Sequence, residues 1–242
     1  MIFSQQTLDF LAQNRLQNNR EWYLAHKTEY QTVVLAPMAA LVERLTPAML
    51  AIDPHFSTIP KVDKTISRIY RDTRFTKDKS LYRDAVWCQF SRDKKVQGCI
   101  LGYYFEVTPR RFSYGCGFFE PDTKTMQVLR DMIVADDLLF REALDAFANQ
   151  KALTLQGEFY KKSRYPDQPE SKRQWLDRKG VWLSGVSEDF DLLFSDALAS
   201  RLVYDFTQVA PAYHLFRHAQ ERARELAGLN RQKQASQPDW QW

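Results

Sequence analysis

At 242 residues, with 44% hydrophobic and 26% charged side chains, the chain has the composition of a globular domain with a sizeable core, which excludes a disordered or collagen-like segment. The formal net charge is only +4, too small for a surface that attracts polyanions everywhere. No apolar run in the sequence reaches the ~20 residues of a bilayer span. Met1–Gln6 lacks the basic-then-apolar pattern of a secretory leader, so a cytoplasmic protein without a membrane partner is expected. The three cysteines, Cys88, Cys99 and Cys116, are scattered and form no CxxC pair, which suits a reducing compartment and buried thiols.

In chain order, Ser4 is placed to cap a first helix with Leu8 and Leu11 inward. Asn14 to Asn19 reads as a polar break. A second helix starts near Asn19 and sets Trp22, His26 and Tyr30 four residues apart. That stripe is either an aromatic wall with a titratable His or the core face of an amphipathic helix. Pro37 interrupts or restarts the helix, and the apolar period of Met38, Leu41, Val42 and Leu45 runs to Pro47. Asp53-Pro54 marks a turn, with loop to Lys61. Strands are expected at Ile66–Tyr70, Ala85–Phe90, Ile100–Thr108 and Arg111–Phe119 from their β-branched and aromatic content. Gly115 and Gly117 bracket Cys116, as at a bulge or where another backbone comes close.

Pro121 opens a helix in its first turn. Helices follow at Asp136–Asn149, Ser171–Arg178, Asp191–Phe206 and Pro211–Leu229, with strands at Leu153–Phe159 and Val181–Val186. Strands cluster mid-chain and helices flank them. The expected fold is α+β, a central antiparallel meander flanked by helices from the N- and C-terminal parts. The chain is read as one domain, 1–242, with a frayed tail from about 231 in which Trp240 and Trp242 offer a docking surface.

The chemistry concentrates in Ser67–Ser91. Between Lys61 and Lys95 stand eleven basic and five acidic side chains, an excess of six against +4 for the whole chain, so the basic surplus is local. Arg68, Arg71 and Arg74 recur every third residue, with Asp72, Asp78, Lys79, Phe75 and Tyr82 among them. Guanidinium forks match carboxylate or phosphate, and Lys79 adds a point charge. Asp72 and Asp78 either orient those cations or act on a substrate proton. Asp72, Lys79 and Tyr82 are the candidates for catalysis. The competing reading is an internal Arg–Asp network that only fixes a turn.

The pattern RxxRDxRFxxDKxxY, from Arg68 to Tyr82, resembles the signature of a bacterial family of hypothetical proteins, domain of unknown function 2461. Asn18-Asn19-Arg20-Glu21-Trp22, His26-Lys27 and Tyr30 are similar to the family's NNREWF…HK…Y segment. Gly102–Tyr104 and Tyr165-Pro166, near Lys161, extend the resemblance, with Arg164 where the family often has Gly. The resemblance implies the domain and leaves its chemistry open.

Three functions follow. The first is a basic-aromatic pocket for a phosphate- or carboxylate-bearing small molecule, held by Arg68, Arg71, Arg74 and Lys79, with Asp72 orienting the forks and Tyr82 closing a wall. The second is a nucleic-acid-binding module. The third is a structural or interaction domain. Glu158, Lys161, Lys162 and Arg164 either complete the pocket or form a solvated loop. His214 and His218 are spaced as a two-His metal pair but lack the Glu of a zinc protease motif. No metal and no cofactor is expected, and the sequence leaves oligomeric state open.

Overall fold

The structure is a computed structural model that describes residues 2–74, 76–93 and 99–235, with side chains as far as 228. Phe75, Lys94, Lys95, Trp240 and Trp242 lie outside the described residues.

The first helix, α1 (Gln5–Gln17), runs through the expected break and buries Asn14. It ends where a residue can turn left-handed: Asn18 has φ 46° and ψ 38°. Asn19 then caps α2 (Arg20–Ala25), its Oδ1 accepting from Glu21 N at 2.7 Å and Trp22 N at 3.0 Å. The paired asparagines are thus a joint, one ending a helix and the next starting another. After α2 come α3 (Lys27–Tyr30), a π-helical turn (Gln31–Leu35) and α4 (Ala36–Ile52). Pro37 comes just after the π-helical turn inside the continuous helix Lys27–Ile52, so it marks a change of helix geometry and not an end. Pro47 does not end the helix as expected. It is exposed, and Leu45 and Met49, both fully buried, anchor the helix on either side of it.

Lys27–Ile52 is long and apolar enough to cross a membrane by length and composition, although polar residues interrupt its apolar runs. Its apolar side chains Val34, Met38, Leu41, Val42, Leu45 and Met49 are instead buried in the core.

The sheet holds β1 (Val86–Ser91), β2 (Ile100–Val107), β3 (Phe112–Phe119), β4 (Thr154–Gln156) and β5 (Trp182–Ser187). Their order is β1-β2-β3-β5-β4, antiparallel throughout, so the expected meander is present and two later strands extend it. Alternate residues such as Cys88, Tyr103, Phe105 and Cys116 point into the core. Gly115 is required: a side chain there would stand 2.0 Å from the Leu183 carbonyl oxygen on the neighbouring strand.

Ile66–Tyr70 is not a regular strand. Ser67 N bonds Trp87 O at 2.9 Å, but Ser67 Oγ takes the Trp87 N–H at 3.0 Å and breaks the ladder. The chain leaves β1 and pairs with itself, through Arg71 N to Leu81 O and Arg83 N to Ile69 O, both 2.9 Å.

Helix α5 (Thr123–Val134) starts after Asp122, whose carboxylate accepts from Thr125 N at 2.9 Å and Thr125 Oγ1 at 2.7 Å. Pro121 therefore precedes the cap and is not in the first turn. Helices α6 (Leu138–Asn149) and α7 (Glu170–Leu176) follow the sequence reading closely. The single helix expected at Asp191–Phe206 is two, α8 (Phe190–Leu193) and α9 (Ala197–Gln208). Ser195 separates them, donating to Leu192 O at 2.8 Å and accepting from Ala197 N at 3.2 Å. The last helix, α10 (Ala210–Ala235), passes the point where fraying was expected.

Helix α4 packs on β1, α9 on β3 and α10 on β2 and β3, all on the buried face, while α5 and α6 lie against α10. One buried clamp joins these layers. The Asp53 carboxylate, just after α4, accepts from Arg92 Nε at 2.7 Å, Arg92 Nη2 at 3.1 Å, His55 N at 2.9 Å and the Tyr213 hydroxyl on α10. All three cysteines are free and buried, and burial pushes the Cys88 thiol up to about 12.

Candidate functional site: a basic-aromatic cleft

A cleft of about 400 Å³ opens between the second helical segment and the chain that leaves β1. One wall is Tyr23, Lys27 and Tyr30, continued by Gln31 and Leu35 of the π turn. The other is Val62, Arg68, Ile69 and Tyr70. Gln31 and Leu35 stand four residues apart in the π turn and share one face of it. Such turns in longer helices are frequent at functional sites.

Three tyrosines, Tyr23, Tyr30 and Tyr70, line the cleft, and Tyr82 packs behind them. Tyr23 meets Tyr70 edge-on at 5.4 Å, Tyr82 at 5.0 Å and Tyr30 at 5.7 Å, and Tyr70 meets Tyr82 at 5.1 Å. Phe10 of α1 backs Tyr30 at 5.6 Å. Tyr82 is fully buried behind Tyr23 and Tyr70, whereas Tyr70 is 46% exposed at the mouth. Burial, then the neighbouring Tyr70, pushes Tyr23 and Tyr82 up to about 12, with Arg20 pulling weakly the other way on Tyr82. Burial raises Tyr30 further. These phenols stay protonated at neutral pH and act as donors, never as anions.

The arginines expected to share one anion are dispersed among separate partners. Arg68 lines the cleft and pairs through Nε with Asp63. Arg71 reaches Asp78 at 3.3 Å, and its Nε is buried without a partner among the described residues. Arg74 forks onto Asp72, at 3.0 Å from Nε and 2.7 Å from Nη2, so Asp72 does orient a guanidinium. Those bonds hold the Asp72 carboxyl at about 2. Lys79 donates to Thr73 O at 2.7 Å within the same loop. Asp72, Lys79, Arg71, Arg74 and Tyr82 are not among the residues lining the cleft.

Asp78 is the hub of this loop. It accepts from Ser80 Oγ at 2.6 Å, Ser80 N at 3.0 Å and Arg15 Nη2 at 2.7 Å, which together keep its carboxyl well below the usual range. Arg15 also donates to Tyr82 O at 3.0 Å, and Asn18 Oδ1 accepts from Leu81 N at 2.6 Å. The end of α1 is thereby fastened to the signature loop. Arg15 carried no signal in the sequence, because nothing local links it to Asp78.

Trp22 and His26 stack on each other at 4.0 Å, with the His26 Nδ1–H donating to Trp22 O at 2.8 Å. Neither lines the cleft; Tyr23 and Lys27, each one position further along, do. The second basic run lies apart as well. Arg164 stacks on Tyr160 at 3.7 Å, Arg178 on Phe159 at 4.1 Å, and Glu158 pairs with Lys179. His214 packs edge-on against Tyr213 at 5.6 Å, and burial lowers its pKa.

The fold and cleft together define an α+β domain whose two motif-bearing segments meet at one site. The chain belongs to the family described as "Conserved hypothetical protein (DUF2461)", whose model matches residues 6–215. The match spans both walls of the cleft, the signature loop and the whole sheet, and ends in the first turns of α10. No curated protein matches the chain.

Proposed function

We propose that the chain binds an anionic small molecule, bearing a phosphate or a carboxylate, in the cleft between Tyr23–Leu35 and Val62–Tyr70. One observation carries the reading. The two segments that resemble the family pattern, far apart in sequence, supply facing walls of one cavity, each with a cation: Lys27 on one side and Arg68 on the other. Its volume, about 400 Å³, is in the range of small-ligand sites. Clustered charge beside tyrosines gives both recognition of an anion and a stacking surface.

The structural reading is favoured for another part of the signature. Arg71 and Asp78, with Arg15, join α1 to the loop and face each other, not the cleft. The signature therefore divides: Arg68 and Tyr70 serve the ligand, and Arg71, Asp78 and Tyr82 hold the wall in place.

A thermal-shift screen with nucleotides, sugar phosphates, carboxylates and short oligonucleotides tests this. A ligand at a hundred times its Kd adds about 2.7 kcal/mol. Stabilisation by an anion that disappears in a folded Arg68→Ala variant is the expected result. Stabilisation by oligonucleotides alone, falling steeply with salt, would replace this reading with nucleic-acid binding.

A further inference from the structure

We infer that the ligand of this cleft is a planar, largely apolar molecule carrying a single carboxylate; this rests on the anion-binding reading above and narrows it. The lining is mostly apolar: Tyr23, Tyr30, Tyr70, Leu35, Val62 and Ile69 leave only Gln31 and two cations to meet polar groups. A compact anion such as inorganic phosphate would use only the two cations at the mouth and leave the apolar walls uncovered. A ring system fits. Tyr70 stands 46% exposed at the mouth, with the edge-on Tyr23 at 5.4 Å fixing its orientation.

The charge of the site sets the charge of the ligand. Arg68 is already paired with Asp63, on which Lys64, outside the lining, also acts. Lys27 pairs with no carboxylate among the described residues. The phenols of Tyr23 and Tyr30 remain neutral donors. One cation is therefore left to be matched at the lining itself. A monoanion matches it, while a dianion carries a second charge for which the lining leaves no unpaired cation among the described residues. The carboxylate sits at the mouth between Lys27 and Arg68, and the ring lies inward over Leu35, Val62 and Ile69.

Calorimetry with three probes that share one body decides this: 2-naphthoate, 2-naphthamide and 2-naphthyl phosphate, with inorganic phosphate and succinate alongside. The expected order puts 2-naphthoate first and the amide about tenfold weaker, the equivalent of one modest charge interaction. The phosphate ester should also be weaker than the carboxylate. Lys27→Met should weaken 2-naphthoate about fivefold and leave 2-naphthamide unchanged, as for a partly exposed ion pair. A phosphate ester that binds more tightly than the carboxylate overturns the single-carboxylate class and keeps the anion-binding reading. Binding of succinate or inorganic phosphate with no binding of any naphthyl compound overturns the planar class and keeps that reading too. Equal affinity for amide and carboxylate overturns both, and so does no binding by any probe.

Discussion

Replacing Tyr82 by Phe and by Ala separates a chemical role of its hydroxyl from a packing role of its ring. Tyr82 is fully buried, with Tyr23 and Tyr70 rings at 5.0 and 5.1 Å. Its hydroxyl makes no well-formed hydrogen bond within the described residues. Phe keeps the ring contacts and strands no partner, so Tyr82→Phe should change stability by less than about 1 kcal/mol. Ala removes the whole ring from a packed site, at about 3–5 kcal/mol. With about 2.1 cal/mol/K of unfolding entropy per residue over 242 residues, each kcal/mol moves the midpoint by about 2 °C. Tyr82→Ala should therefore melt about 6–10 °C lower. Urea titrations followed by circular dichroism check both values, with the slope m showing whether the transition stays cooperative. A loss above about 2 kcal/mol for Tyr82→Phe would refute the reasoning, because the hydroxyl would then hold a bond that the structure lacks.

Other consequences concern the frame around the cleft. Asp53→Ala leaves Arg92 and Tyr213 without their buried acceptor and should cost about 3–5 kcal/mol in a urea titration. Hydrogen bonds from Arg92, Tyr213 and His55 N outweigh burial and lower the folded-state pKa of Asp53. Its contribution is therefore complete above the unfolded carboxylate value of about 3.9 and is lost as pH falls through the lower folded value. Denaturation midpoints measured from pH 6 down to pH 2 should fall less steeply in Asp53→Asn than in wild type; parallel curves would contradict this. Asn19→Ala removes the cap of α2 and should cost about 1 kcal/mol, lowering the midpoint by about 2 °C in calorimetry.

Local signals made much of this fold legible. The meander could be read because β2 and β3 are rich in aromatic residues, with only a short turn between them. Asn18 and Asn19 mark a helix joint, but the sequence reads as a break from Asn14 onward, since nothing local shows that Asn14 is buried. Ile66–Tyr70 looked like a strand by composition; the hydroxyl of Ser67 and pairing with Leu81–Arg83 diverted it, and both are tertiary events. At the site, the basic surplus and Arg68 were visible. The charge count could not show that Arg71 and Arg74 are taken by Asp78 and Asp72, while Lys27 stays available. Nor does periodicity reveal the π turn that carries Gln31 and Leu35, both on the cleft with Tyr23.

The most direct test of the central claim is a ring-labelled tyrosine NMR titration with 2-naphthoate. The chain has 11 tyrosines, and Tyr23, Tyr30 and Tyr70 line the cleft. The account predicts that the signals of these three move together, with one shared Kd, and that the Lys27→Met variant weakens all three in step. Shifts confined to tyrosines elsewhere, such as Tyr160, Tyr165 or Tyr204, would place the ligand outside the cleft and contradict it.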